Sequence, residues 1–294
     1  MSDDLLISNL FSVKDKVALI TGGGTGIGKM IAKAFVKNGA IVYIASRNKT
    51  AASRDKTSLD NVAKELTEMG PGKCFSIEAN LDSKEACEKL VTDFKNLGND
   101  KLDILINNSA TWHESTSLMD IPEDAWDRIY NLNVKCVFYL TMAFLPLLEK
   151  ASKKLVDPSR VIITGSILGI GEGELKGMQA LGLYSLPYSS SKSAVHSVAK
   201  NLAVHLTPQG INVNVLAPGI VPTFPSDAKI NEIRLSDIPQ GRPGGELDMA
   251  GAAIYLASRA GSWISGIELV VDGGTLLQYK LTDVQRVPLP SLPS

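Results

Sequence analysis

Six residues rich in β-formers, Lys16-Val17-Ala18-Leu19-Ile20-Thr21, run directly into Gly22-Gly23-Gly24-Thr25-Gly26-Ile27-Gly28. Met30, Ile31, Ala34 and Phe35 then repeat at helical spacing up to Asn38-Gly39, and Ala40-Ile41-Val42-Tyr43-Ile44-Ala45 reads as a second strand. A strand, a glycine turn, a helix and another strand bring backbone N–H groups and a helix N-terminus to one point, which is an anion site suited to a pyrophosphate. Gly22, Gly24, Thr25, Gly26, Ile27 and Gly28 are the expected contacts of a dinucleotide. The competing reading, a bland turn, has no use for a second strand placed so close behind.

The end of that second strand should meet the adenosine ribose. An acid there would hold the 2′-hydroxyl of NAD, but the residues are Ser46-Arg47-Asn48. Arg47 can pair with a 2′-phosphate, so NADP(H) is the expected cofactor, with Ser46, Arg47 and Asn48 around that phosphate. No basic residue lies within the glycine turn to assist. The alternative is a surface arginine.

Alternation continues along the chain. Helical patterns at Ser58 to Met69, Ser83 to Leu97, Glu123 to Lys150 and Leu247 to Ser258 separate strand-like runs at Lys73–Glu78, Leu102–Ile106, Arg160–Thr164, Ile211–Leu216 and Ile267–Val271. The long helix is expected to kink near Asn133 and Pro146. Such alternation implies βαβ crossovers: an α/β, single-domain Rossmann fold, a doubly wound parallel sheet of about seven strands with helices on both faces. No composition break marks a second domain. The expected layout is an arm over 1–14, the domain over 15–274 and an extension over 275–294, whose Pro288, Pro290 and Pro293 argue against a helix.

Composition excludes several classes. With 44% hydrophobic and 21% charged residues over 294 positions, a large core is available. Net charge is −1 with the signs interspersed, so neither a nucleic-acid partner nor a membrane surface is expected. Cys74, Cys87 and Cys136 have neither a paired number nor metal-ligand spacing; they read as reduced packing residues, with no metal site. Met1 to Asp15 lacks a basic region followed by an apolar one, and the run Val137 to Leu148 is too short to span a bilayer. A cytoplasmic location is expected.

The chemical signal lies in Leu186-Pro187-Tyr188-Ser189-Ser190-Ser191-Lys192. Pro187 suits a first helical turn, and Val195, Val198, Ala199 and Leu202 carry the helix onward. Tyr188 and Lys192, four apart, share one face. An ammonium beside a phenol is expected to lower the phenol pKa and make it a better proton donor near neutrality. Such a pair also arises by chance, so the surrounding motifs matter.

Taken in order, Thr21-Gly22-x-x-x-Gly26-Ile27-Gly28, Asn107-Asn108-Ser109-Ala110, Asn133, Ser166, Tyr188-x-x-x-Lys192, Pro218-Gly219 and Asp272-Gly273-Gly274 resemble the short-chain dehydrogenase/reductase family over roughly residues 12–275. Leu145-Pro146-Leu147-Leu148, Asp157 to Ile162 and Ile211 to Gly219 look most like 3-oxoacyl-(acyl carrier protein) reductases of the rhamnolipid type. The resemblance implies an NADPH-dependent carbonyl reductase acting on a ketone or 3-oxoacyl-type substrate. Its alternatives are an alcohol or polyol dehydrogenase working oxidatively and a nucleotide-sensing regulator without catalysis.

By the same resemblance Tyr188 supplies the proton and Ser166 orients the carbonyl. Lys192 holds the nicotinamide ribose, Asn133 holds a relay water, Asn107 lies at the cofactor, and Val221 and Thr223 meet the carboxamide. Asn80-Leu81 stands where relatives carry an aspartate near the adenine, and the Asn80 oxygen can still accept from the amine. Ser109-Ala110 replaces Ala-Gly and could narrow the pocket. An insert, Gly171 to Met178, is expected to rim the site. Residues 217–243 are expected to form a lid lined by Phe224, Ile230, Ile233, Leu235 and Ile238, which favours a lipophilic small-molecule carbonyl; Trp112 and His113 are further candidates there. His196 and His205 read as packing or surface residues. The wide apolar arcs of the two long helices imply a homotetramer or dimer.

Overall fold

The computed structural model describes residues 5–47, 58–113, 115, 117–154, 156–171, 185–223 and 238–278. Their strands form one parallel sheet of seven. In chain order these are β1 (Val17–Thr21), β2 (Ile41–Ser46), β3 (Lys73–Glu78), β4 (Ile104–Asn107), β5 (Ser159–Thr164), β6 (Ile211–Pro218) and β7 (Glu268–Val271). In space the order is β3-β2-β1-β4-β5-β6-β7. The main helices are α2 (Gly26–Lys37), α3 (Leu59–Thr67), α4 (Lys84–Asn96), α5 (Glu123–Tyr130), α6 (Cys136–Ala151), α7 (Leu186–Leu206) and α8 (Glu246–Ala257), with single turns α1 (Ile7–Leu10) and α9 (Thr275–Gln278) at the ends.

Alternation of side chains along each strand builds two cores. Val17 and Leu19 of β1, Tyr43 and Ala45 of β2 and Val161 and Ile163 of β5 pack with Leu90 and Phe94 of α4, Phe144 of α6 and Val195 and Leu202 of α7. Ala18 and Ile20, Val42 and Ile44, and Ile162 face the other way, onto Ile31 and Phe35 of α2, Val62 and Leu66 of α3 and Ala253 and Leu256 of α8. Each fully buried side chain of this size contributes about 1.5–3 kcal/mol. Both faces are thus covered, as the continuous apolar strands require. The order reverses between β1 and β4, and the crevice at the strand carboxyl ends there is where such sheets bind ligands.

Local chemistry sets the boundaries. Ser58 and Ser83 cap α3 and α4 by accepting from the N–H groups of Asn61 and Ala86. The kink expected near Asn133 is a five-residue π-turn, Asn131–Lys135, between α5 and α6, whereas Pro146 lies within α6, which runs on to Ala151. The span Glu123–Ala151 is long and apolar enough to cross a bilayer by length and composition, and 44% of its apolar window is buried inside the molecule.

The arm is docked at its base: Val13 is fully buried and the Phe11 ring meets Tyr255. The extension begins differently from expectation, because Thr275–Gln278 forms a helical turn ahead of its prolines. Asp272 nucleates that turn by accepting from the N–H groups of Gly274 and Leu276. All three cysteines are buried free thiols.

Candidate active site

The glycine turn follows β1. Gly26 opens α2 at φ +53, and a Cβ there would lie 3.1 Å from the Thr223 methyl, so Thr223 sits over the turn. A Cβ on Gly28 would be 2.4 Å from the carbonyl oxygen of Gly22. Only glycine permits this close approach. Thr25, the extended N-cap of α2, makes no side-chain hydrogen bond to its first turn. The N–H groups of that turn therefore point into the crevice with the positive end of the helix dipole behind them. This donor set and the narrow glycine cradle fit a dinucleotide pyrophosphate.

Asn108 shapes the cradle from β4. Its amide donates to the carbonyl of Thr21 at 2.9 Å and accepts from the Thr164 hydroxyl at 3.1 Å. The Thr21 hydroxyl in turn accepts from the N–H groups of Asn108 and Ser109. Asn107, singled out from the sequence, instead turns its amide inward to the Thr141 hydroxyl of α6. The motif pointed to the pair, and only the strand's alternation decides which asparagine faces the crevice.

At the ribose end, Ser46 closes β2 and Arg47 follows it, exposed. Asn48 lies outside the described residues. Leu81 is buried, while the exposed Asn80 donates to the Asp82 carboxylate. Val221 is buried behind the end of β6.

At the chemical end, α7 carries Tyr188 and Lys192 as expected, with Pro187 in its first turn. Lys192 is 3% exposed, and its ammonium donates to the carbonyl of Thr164 at 2.7 Å while standing 5.5 Å from the Tyr188 ring centre. Burial lowers its pKa to about 8. The expected lowering of the phenol pKa is not what the structure shows. Burial raises Tyr188 to about 12, and a hydrogen bond with Ser166 offsets that only in part. The ammonium is spent on Thr164 and faces the ring, so desolvation of the phenolate wins. Tyr188 therefore keeps its proton across the physiological range.

Ser166 follows β5 and is nine-tenths buried. Its hydroxyl oxygen accepts from the N–H of Leu168 at 3.1 Å, which leaves its proton free to donate. Asn133, in the π-turn, donates to the carbonyl of Thr111 and to the Ser191 hydroxyl, both at 3.0 Å, and accepts from the N–H of Thr111 at 2.9 Å. Its side chain thus links the loop after β4 to α7 and is not aimed at Lys192. Ser191 and Thr111 carried no signal in the sequence that separates them from other polar residues.

His196 is buried against the Ser166 turn, whereas His205 is exposed. Trp112 is half exposed, and the carbonyl of His113 accepts from the Ser185 hydroxyl. Of the expected lid, Ile238 is buried. Phe224, Ile230, Ile233 and Leu235 lie outside the described residues, as does the insert beyond Gly171.

Comparison with known proteins gives concordant likenesses. The family described as enoyl-(acyl carrier protein) reductase matches residues 22–275. A rhamnolipids biosynthesis 3-oxoacyl-(acyl-carrier-protein) reductase of Pseudomonas aeruginosa is 36% identical over 270 residues, covering 90% of this chain and 97% of that protein. The short-chain dehydrogenase/reductase PhomF of Diaporthe leptostromiformis is 35% identical over 301 residues, covering 94% and 96%. Among solved structures, the Pseudomonas aeruginosa RhlG/NADP active-site complex superposes with a TM-score of 0.79 at 34% identity, covering 90% of this chain and 98% of that one.

Proposed function

This chain belongs to the short-chain dehydrogenase/reductase family, and on that footing we propose that it is an NADPH-dependent carbonyl reductase converting a ketone or 3-oxoacyl-type substrate to a secondary alcohol. The observation that carries this reading is the Tyr188–Ser166 pair: a phenol that holds its proton up to a pKa of about 12, hydrogen-bonded to a serine hydroxyl fixed by Leu168. NADPH, when bound, supplies the hydride for the carbonyl carbon. Tyr188 gives its proton to the carbonyl oxygen, where negative charge develops, and Ser166 donates a hydrogen bond to the same oxygen.

The N–H groups of the glycine turn would hold the pyrophosphate, and Arg47 the 2′-phosphate. Asn80 would accept from the adenine amine. Lys192 would hold the nicotinamide ribose, with Val221 and Thr223 toward the carboxamide. A water relay toward Lys192 would pass near Asn133, whose amide is itself committed to Thr111 and Ser191. The solved RhlG/NADP complex and the 3-oxoacyl reductase at 36% identity support this choice of cofactor and substrate class. Oxidation of an alcohol or polyol would need the phenolate as base, which the raised Tyr188 pKa disfavours at neutral pH.

The assembly is a homodimer or homotetramer in the cytoplasm. Phe138 on α6 and Val204 on α7, 40% and 72% exposed in the single chain, support a subunit contact on these helices. Light scattering showing a single monomeric species would contradict it.

The deciding experiment follows absorbance of the reduced nicotinamide with NADPH or NADH against ketones, β-ketoesters and 3-oxoacyl thioesters. Oxidation of NADPH by one of these, reduced roughly 10²- to 10⁴-fold in Tyr188→Phe with NADPH binding retained, is the expected result. Full activity in Tyr188→Phe would refute the assignment.

A further inference from the structure

The end of β5 is gripped from α7 at two successive points. Lys192 donates to the carbonyl of Thr164 at 2.7 Å. One helical turn later, His196 accepts the backbone N–H of Ser166 on its Nε2 at 3.3 Å. The residue is 2% exposed. It fills the space between the two glycines that bracket Ser166: a Cβ on Gly165 would lie 2.1 Å from His196 Nε2, and one on Gly169 2.9 Å from its Cε1.

The ring's protonation state follows from its neighbours. An Nε2 that accepts requires the proton on Nδ1. That nitrogen has no hydrogen-bond partner among the described residues and faces Glu268 Oε2 of β7 at 3.6 Å, near enough for the carboxylate to favour this tautomer. The charged groups around the ring are Glu268 from β7 and Lys192 and Lys200 from its own helix, and Lys200 holds the other Glu268 oxygen at 2.6 Å. Burial lowers the imidazole pKa to about 4, so the ring stays a neutral acceptor through the physiological range.

We infer that His196 is a positioning residue for the reaction, holding the Ser166 hydroxyl in place by accepting the Ser166 backbone N–H. The remaining polar atoms of this serine are already committed: its carbonyl accepts from the N–H of Gly169 at 2.9 Å and its hydroxyl oxygen from Leu168. Beyond the turn, the hydroxyl meets the Tyr188 phenol, and among the described residues the backbone N–H is held by His196. Removing the imidazole leaves a buried N–H unsatisfied, and the turn can relieve that only by moving the serine. The inference rests on the carbonyl-reductase reading for its kinetic consequence but not for its structural one.

The test uses the full chain with His196→Leu, which keeps an apolar body without an acceptor, and His196→Gln, whose side-chain oxygen restores one. Hydrogen exchange of the peptide containing Ser166 is measured first. Faster exchange in His196→Leu, reversed in His196→Gln, is expected, and exchange unchanged in the leucine variant overturns the inference whatever the enzyme's substrate proves to be. Kinetics follow with a carbonyl substrate accepted by the unaltered enzyme. The leucine variant is expected to lose about 10- to 100-fold in kcat with KM for NADPH nearly constant, and the glutamine variant to regain most of it. In a Ser166→Ala background, His196→Leu is expected to cost little more. An equal loss in both backgrounds would mean a merely structural histidine and would overturn the positioning role. If Tyr188→Phe is as active as the unaltered enzyme, the carbonyl-reductase reading fails, while the exchange result still stands or falls by itself.

Discussion

The Lys192 ammonium of α7 is hydrogen-bonded at 2.7 Å to the carbonyl of Thr164, 28 residues earlier and two before Ser166. A buried ammonium is thereby fixed to the backbone of the strand that presents the serine. The same contact explains why the phenol and the ammonium do not neutralise each other: the charge is pinned below the ring, 5.5 Å from its centre.

Burying that charge has a cost that depends on pH. The Lys192 pKa falls from 10.5 unfolded to about 8 folded. Below pH 8 both states carry the proton and the full penalty of roughly 3 kcal/mol applies. Between pH 8 and 10.5 the folded state releases its proton first, the unfolded state binds more, and stability rises with pH. Lys192→Met is therefore expected to be more stable than the unaltered protein at pH 7, though inactive, with the gain shrinking toward pH 10. Chemical denaturation at the two pH values measures it, and a gain independent of pH would count against the buried-charge account.

Asn133→Ala removes two hydrogen bonds to Thr111 in the loop after β4 and one to Ser191 of α7, and leaves the N–H of Thr111 without that acceptor. A loss of about 1–3 kcal/mol in unfolding free energy is expected, with lowered kcat. Urea titration and steady-state rates check both, and an unchanged midpoint with full activity would exclude the bridging role.

Arg47→Asp places an acid where a 2′-phosphate would lie. KM for NADPH is expected to rise roughly 10-fold or more, and NADH to become the better cofactor. A ratio of kcat/KM for the two cofactors that does not move would make Arg47 a bystander on the surface.

Ser83→Ala tests a feature remote from the chemistry. The Ser83 hydroxyl accepts from the N–H of Ala86 at 3.1 Å, and its loss is expected to lower stability by about 1 kcal/mol with kcat and KM unchanged. A drop in turnover larger than the drop in stability would point to coupling between α4 and the site.

The sheet was legible because short runs rich in β-formers alternate with helical patterns, and even β3, whose polar and apolar residues are mixed, is found at Lys73–Glu78 as the sequence predicts. The start of a helix at Ser83 and Tyr188 with Lys192 on one helix were equally readable, since each is a local pattern. What the sequence hid depends on long-range placement. The direction of the Tyr188 pKa turned on burial and on Thr164, neither of which spacing reveals. The inward turn of Asn107 depended on strand alternation meeting Thr141 of α6. His196 looked like packing because nothing local to α7 announces Gly165 and Gly169 beneath it. The turn at Thr275–Gln278 was missed because Asp272 stands before the segment whose prolines drew attention.

The strand order has a consequence for engineering. Arg47 follows β2 and Ser166 follows β5, with β1 and β4 between them. Three strand spacings separate the two by about 14 Å. At that separation free-energy changes combine nearly independently. One protein library could vary the residues after β2 and β3 to choose a nucleotide, and a second could vary those after β4 to β6 to choose a carbonyl. The better members of each could then be joined in one chain without a further round of repair.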